Sequence, residues 1–98
     1  MARDGDEDKG REAEVTLCAA LTRLFPGAPS RLSLRAATVA ELLDKLDAEW
    51  PGMRDRVRDE SPAIRRHMNV FVDGERAKLH TELRPGAKVF IITAVSGG

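Results

Sequence analysis

The chain has 98 residues, and its 16 Lys and Arg residues balance its 16 Asp and Glu residues. This length predicts one domain with a small core. The balanced charge and the few aromatic residues argue against a nucleic-acid surface, and no apolar run is long enough for a transmembrane helix. One cysteine forms no internal disulfide, which favours a cytoplasmic location.

The first twelve residues are charged, contain two glycines and offer almost nothing to bury. Such a segment lacks the apolar surface that would offset the entropy of ordering, so we predict a disordered tail over residues 1–12. The segment also lacks the apolar centre of a secretory signal peptide.

Two short segments with alternating apolar side chains follow the tail. Residues 15–21 alternate Val15 and Leu17 with less apolar neighbours, which predicts a strand. Residues 31–35 alternate again and place Leu32 and Leu34 on one face. We expect the two strands to pair as a hairpin with a long connecting loop.

The clearest helix signal begins at Thr38, which can cap a helix, with Glu41 three residues later as in a capping box. The apolar residues that follow recur at helical spacing and form one stripe: Val39, Leu42, Leu43, Leu46 and Trp50. Pro51 and Gly52 end the helix. Met53 and Val57 then suggest another short helical turn within residues 53–60.

The last third of the chain predicts three strands. Residues 68–73 are rich in β-branched and aromatic side chains, and the Asp-Gly pair at 73–74 is a hairpin signal for a short return strand over residues 75–78. Pro85 and Gly86 fit a type II turn. The final strand, residues 87–93, is strongly apolar.

This order of elements predicts a two-layer α+β domain over residues 13–93. The first and last strands are the most apolar, so we place them at the centre of the sheet, where they would be parallel. That arrangement is a β-grasp, or ubiquitin-like, roll: a mixed sheet of four to five strands with one main helix packed on one face. Residues 94–98 would form a flexible tail that reaches roughly 16 Å at ~3.3 Å per residue.

One helix covers only one face of such a sheet. The side chains predicted to face the helix are Val15, Leu17, Met68, Val70, Val72, Val89 and Ile91. Their neighbours Cys18, Phe71, Phe90 and Ile92 would then point away and leave an apolar patch near the tail. A contiguous exposed patch usually marks a binding surface, so Phe71, Phe90 and Ile92 are candidate partner-binding residues. The alternative is that residues 53–66, or those around Leu79, cover the patch.

The chain resembles the MoaD/ThiS-type sulfur-carrier proteins, which are ubiquitin-like domains that end in Gly-Gly. The resemblance spans about residues 13–98. It is most specific over residues 69–75, which read NVFVDGE, and over residues 85–98, which read PGAKVFIITAVSGG.

This resemblance implies that an ATP-using enzyme adenylates the carboxylate of Gly98. A persulfide on the partner then delivers sulfur, and the resulting thiocarboxylate donates it through a second, biosynthetic enzyme. Val95, Ser96 and Gly97 would thread the tail into the partner, since Gly97 has no Cβ to obstruct a narrow channel. The carrier itself would bind no cofactor, because ATP belongs to the activating enzyme, and it would be a monomer when free.

The remaining reactive side chains give no active-site pattern. We interpret Cys18 as a small apolar strand residue and His67 and His80 as surface histidines without metal-ligand spacing. The sequence contains no Ser/His/Asp or Cys/His set and no phosphate-binding loop. We therefore expect a co-substrate protein rather than an enzyme, with neither nucleic acid nor membrane as a partner.

Two other functions stay open. The chain could be a ubiquitin-like modifier joined through Gly98 to lysines of target proteins, or a binding module that never reacts. Within the carrier hypothesis, thiazole-forming carriers usually lack the 53–67 segment, and molybdopterin carriers often have proline where Thr93 and Ala94 stand. The ending looks closer to carriers for cysteine or specialised sulfur metabolites.

Overall fold

The structure, a computed structural model, describes residues 12–94. The predictions made for residues 1–11 and 95–98 therefore lie outside the described residues. The elements in chain order are β1 (Glu12–Leu17), α1 (Ala19–Leu24), β2 (Arg31–Arg35), α2 (Val39–Glu49), α3 (Met53–Val57), β3 (Met68–Val72), β4 (Glu75–Arg76) and β5 (Lys88–Thr93). Within residues 12–94, no helix is both long and apolar enough to cross a membrane.

The five strands form one mixed sheet in the order β2-β1-β5-β3-β4. The first and last strands are parallel neighbours, with Val15 opposite Val89, and all other strand pairs are antiparallel. The predicted central parallel pair, the β1–β2 hairpin and the β-grasp fold are therefore confirmed.

The core lies between the sheet and α2. All seven side chains predicted to face the helix are at most 9% exposed. From α2, four members of the predicted stripe are completely buried: Val39, Leu42, Leu43 and Leu46. Trp50 is partly buried and follows the last helical residue. Full burial of a side chain of this size contributes about 1.5–3 kcal/mol to the stability of the fold. The packing of α2 against the sheet therefore fixes the position of β5.

The helix α2 begins as its sequence predicts. The Thr38 hydroxyl oxygen accepts a hydrogen bond from the Glu41 backbone N–H at 3.2 Å. The Glu41 carboxylate accepts from the N–H of Ala37 rather than from that of Thr38, so the reciprocal bond is displaced by one residue. Both bonds satisfy N–H groups at or next to the helix start that lack an intrahelical partner.

The predicted short helical turn is α3, and both Met53 and Val57 are completely buried. Residues 53–57 thus join the helix layer instead of covering the opposite face of the sheet. Leu79 also packs against the core.

Two strand predictions had wrong bounds. The first strand, predicted over residues 15–21, begins earlier, at Glu12. The first strand ends at Leu17, and Cys18 begins α1, because the Cys18 N–H already donates to the Ile91 carbonyl and the chain then turns into helical bonds. Alanines 19 and 20 favour this helix, and Leu21 reaches the core at 2% exposure. The return strand β4 contains only Glu75–Arg76.

Both predicted turns before and after β4 are present. Asp73 and Gly74 have positive φ angles of 52° and 88°, as a two-residue hairpin requires. Gly86 has φ of 80°, and the Ala87 N–H donates to the Arg84 carbonyl at 2.9 Å, which is the pattern of a type II turn. This second turn starts β5.

Candidate functional site: an open sheet face beside the C-terminal tail

The last described residue of the chain is anchored to the sheet. The Ala94 N–H donates to the His67 carbonyl at 2.7 Å, directly after β5 ends at Thr93. The β3 strand holds this end of β5, with Met68 opposite Thr93, whereas the pairing with β1 stops at Ile91. The predicted tail residues Val95, Ser96, Gly97 and Gly98 lie beyond the described part of the chain.

The predicted aromatic residues meet on the face of the sheet opposite the core. Phe71 lies directly opposite Phe90 in the β3–β5 register, and Ile92 follows on the same face, opposite Asn69. Phe90 is 43% exposed, whereas its neighbour Ile91 is completely buried. The structure therefore brings Phe71, Phe90 and Ile92 together on one surface, which we call the open face.

The other reactive side chains are arranged differently. Cys18 is not part of a strand: it follows β1, caps α1 and packs partly buried against the core. His67 and His80 are both exposed. Among the described residues, no group of three or more His, Cys, Asp and Glu side chains is placed to hold a metal ion.

Charged residues lie beside Phe90, and they were not among the residues predicted for this face. A shallow groove of about 300 Å³ crosses the open face beside Phe90. Its polar lining residues come from three strands: Glu14, Thr16, Arg31, Ser33 and Lys88. The alternation of β2 carried the signal, because Leu32 and Leu34 on one face place Arg31 and Ser33 on the other.

One row of this face runs across the whole sheet. Arg31 lies opposite Thr16, Thr16 opposite Phe90, Phe90 opposite Phe71, and Phe71 opposite Arg76. The row thus has two aromatic rings at its centre and an arginine near each end. Aromatic and arginine side chains are enriched at protein interfaces, so this surface suits protein docking.

A comparison with protein families shows where this fold belongs. The sequence profile of the ThiS family matches residues 15–98. The chain belongs to the ThiS family. It is therefore a member of the ubiquitin-like sulfur carriers and modifiers, small proteins that are generally not enzymes.

Solved structures agree with this assignment. CysO in the Amycolatopsis orientalis BexX/CysO complex is 28% identical, with a TM-score of 0.77 over 88% of this chain and 99% of that one. Mycobacterium tuberculosis CysO is 25% identical, with a TM-score of 0.75 over 85% and 99% of the two chains. SAMP1 from Haloferax volcanii is 28% identical, with a TM-score of 0.72 over 89% and 99%. A search of curated proteins found no match.

Proposed function

We propose that this ThiS-family chain is a sulfur carrier whose Gly98 carboxylate is adenylated by an ATP-using enzyme and converted to a thiocarboxylate. The supporting observation is the anchored end of β5: the sheet holds the chain as far as Ala94, and the matched family region continues through Gly97 and Gly98. Four residues beyond Ala94 reach about 13 Å at ~3.3 Å each, enough to enter a partner's pocket.

The chemistry explains why the carrier needs an activating enzyme. A carboxylate resists nucleophilic attack because attack adds charge to an anion, whereas an acyl-adenylate has AMP as a good leaving group. The outer sulfur of a persulfide on the partner attacks the acyl carbon and displaces AMP, which gives an acyl disulfide. A thiol then attacks the partner's sulfur of that S–S bond, forms a disulfide there and releases the thiocarboxylate of Gly98. The thiocarboxylate is ionised at neutral pH and is a soft nucleophile, as thiolates are.

The tail residues have separate parts in this proposal. Gly98 leaves the reacting carbonyl uncrowded, and Gly97 lets the tail pass through a narrow channel because it lacks a Cβ. Val95 and Ser96 join this segment to the anchored Ala94.

The open face would dock the partners through Phe71, Phe90 and Ile92. One partner is the activating enzyme, and the other is a biosynthetic enzyme that accepts the sulfur. The related CysO was crystallised as a complex with BexX, which is consistent with such docking. We place this exchange in the cytoplasm, with a free carrier that is monomeric and holds no cofactor of its own.

A second candidate is a protein modifier joined through Gly98 to lysines of other proteins. The likeness to SAMP1 favours this candidate, because a second structure of that protein describes it as a small archaeal modifier protein and is 27% identical. Both functions begin with the same adenylation.

Intact-mass analysis of the protein purified from its host separates the two. A C-terminal mass gain equal to the replacement of oxygen by sulfur supports the carrier, and isopeptide-linked adducts support the modifier. Deletion of Gly98 should abolish ATP–pyrophosphate exchange by the activating enzyme and leave the unfolding midpoint unchanged. Normal exchange by the deletion variant would exclude both candidates.

A further inference from the structure

A second groove lies at the exposed edge of β3 and has an unusual lining. It measures about 200 Å³, and three of its lining residues are arginines: Arg65, Arg66 and Arg76. Asn69 is its other polar member, and no carboxylate lines it. The rest of the lining is apolar: Ile64, Met68, Val70 and Ala77.

The groove forms because β4 ends at Arg76 and leaves part of the β3 edge uncovered. After Arg76, the chain makes one further backbone hydrogen bond to β3, from the Ala77 N–H to the Val70 carbonyl at 2.7 Å. On the other side of the groove, Arg65 is fixed by its backbone, because its N–H donates to the Val57 carbonyl at 2.7 Å. The Arg65 Nε also donates to the Asp55 carbonyl at 2.6 Å.

The three arginines differ in how their charges are compensated. The Ser61 hydroxyl is the main cause of the lowered pKa of the Asp59 carboxyl, and the charge of Arg65 makes a smaller contribution in the same direction. Arg66 and Arg76 are exposed, and neither side chain makes a hydrogen bond or ion pair within residues 12–94, although Arg76 also lines a neighbouring groove with Asp73, Glu75 and Glu82. Arg54, on the helix layer, contrasts with them because it pairs with Asp44 at 2.7 Å.

The groove is continuous with the docking elements already described. Arg76 lies opposite Phe71, which lies opposite Phe90. Arg66 precedes His67, whose carbonyl anchors Ala94 at the root of the tail. A protein that covers the aromatic pair and binds the chain beyond Ala94 therefore meets both arginines whose side chains form no ion pair within residues 12–94.

We propose that this groove binds a cluster of Asp and Glu side chains on the activating enzyme. The inference rests on the proposed function, since it names the chemistry of that enzyme's docking surface. Guanidinium groups match carboxylates in a bidentate fork, which makes an acidic protein surface the complement of paired arginines. Complementary charges across an interface mainly raise the association rate and fix how the two proteins are aligned.

The first test reverses both free charges. The R66E/R76E double variant should raise the KM for the carrier in ATP–pyrophosphate exchange at least about tenfold, with kcat unchanged because the reacting group is on Gly98. The effect should shrink between about 0.01 M and 0.15 M salt, as the Debye length falls from about 30 Å to about 8 Å. The matched control is R56E/R84E, which makes the same change of net charge at exposed positions outside the groove. An equal KM increase in both double variants would overturn the proposal.

The second test does not depend on adenylation. Titration of the ¹⁵N-labelled protein with a synthetic hexaglutamate peptide at low salt should shift the amide signals of Asn69 and Arg76, and R66E/R76E should abolish these shifts. No shift, or shifts elsewhere, would overturn the proposal even if no enzyme adenylates the wild-type chain. Stronger shifts with inorganic phosphate than with the peptide would also overturn it, because the groove would then be a small-anion site. Failure of wild-type exchange alone, with the peptide shifts intact, would instead count against the proposed function.

Discussion

Phe90 and Ile91 are sequence neighbours on β5, and truncation of Ile91 should destabilise the fold more than truncation of Phe90. Ile91 is completely buried between Leu17 and Val70 of the adjoining strands. Ile91→Ala should therefore cost about 2–5 kcal/mol, from lost transfer free energy and the cavity left behind. Phe90 is 43% exposed. Since full burial of such a side chain is worth about 1.5–3 kcal/mol, Phe90→Ala should cost only about 1–2 kcal/mol.

The assay is unfolding by urea and by heat, followed by ATP–pyrophosphate exchange. At ~4–8 °C for each kcal/mol in a domain of this size, Ile91→Ala should lower Tm by about 8 °C or more. Phe90→Ala should lower Tm less but raise the KM for the carrier. The control is Leu24→Ala, which truncates a side chain that is 49% exposed at the end of α1 and does not line the groove beside Phe90.

Equal destabilisation by Phe90→Ala and Ile91→Ala would refute the reasoning, because the face that carries Phe90 would then be covered. A KM increase of the same size with Leu24→Ala would also refute it, because the increase seen with Phe90→Ala would then not be specific to the open face.

Three further substitutions test how the fold holds this site. Thr38→Ala removes the hydroxyl that caps α2 and should lower the free energy of unfolding in urea by about 0.5–2 kcal/mol. Gly86→Ala should lower the free energy of unfolding by about 1–3 kcal/mol in the same assay, because φ at this position is 80°. No atom lies within 4 Å of an added Cβ, so the loss would come from the backbone conformation and not from a clash. A negligible loss would mean that the turn has a different conformation. The Ser61 hydroxyl, as the main cause, holds the pKa of Asp59 below its ordinary value of 3.8. This contact stabilises the fold above that value and is lost as the pH falls through the lowered pKa, so the stability gap between wild type and Asp59→Asn should close in acid titrations below pH 3.8; a constant gap would contradict it.

The elements that the sequence predicted correctly are those whose local signals agree with one another. The helix α2 has a capping residue, an apolar stripe and a stop signal, and the Asp73–Gly74 hairpin has both residues that its turn needs. The segment after Leu17 has no such agreement, because Leu17 and Leu21 are four residues apart and fit the inner face of a strand or of a helix. The sheet decided between them: the Leu17 N–H pairs with the Ser30 carbonyl, and the next N–H pairs across to Ile91 before the helix begins.

In the candidate site, too, some residues could be placed from local sequence patterns and others could not. Strand alternation alone assigned Phe71, Phe90 and Ile92 to one face. The arginines were not assigned from the sequence, for two different reasons. Arg76 is beside Phe71 because the hairpin turn is two residues long, and the predicted Asp73–Gly74 turn already implied this pairing. Arg66 is near Ala94 because the His67 carbonyl accepts from the Ala94 N–H, a contact between segments that are distant in sequence.

The strand β5 joins all parts of the proposed function through one rigid segment. Val89 and Ile91 fix it to the core, Phe90 and Ile92 lie on the open face where we propose that a partner docks, and Ala94 is anchored just beyond its end. Gly98 is eight residues beyond Phe90 in the sequence, so the two are at most about 26 Å apart at ~3.3 Å per residue. An enzyme that seats Phe90 in a pocket must therefore have its reactive centre within this distance of the pocket. A partner whose docking pocket and adenylation site lie farther apart could not use this face.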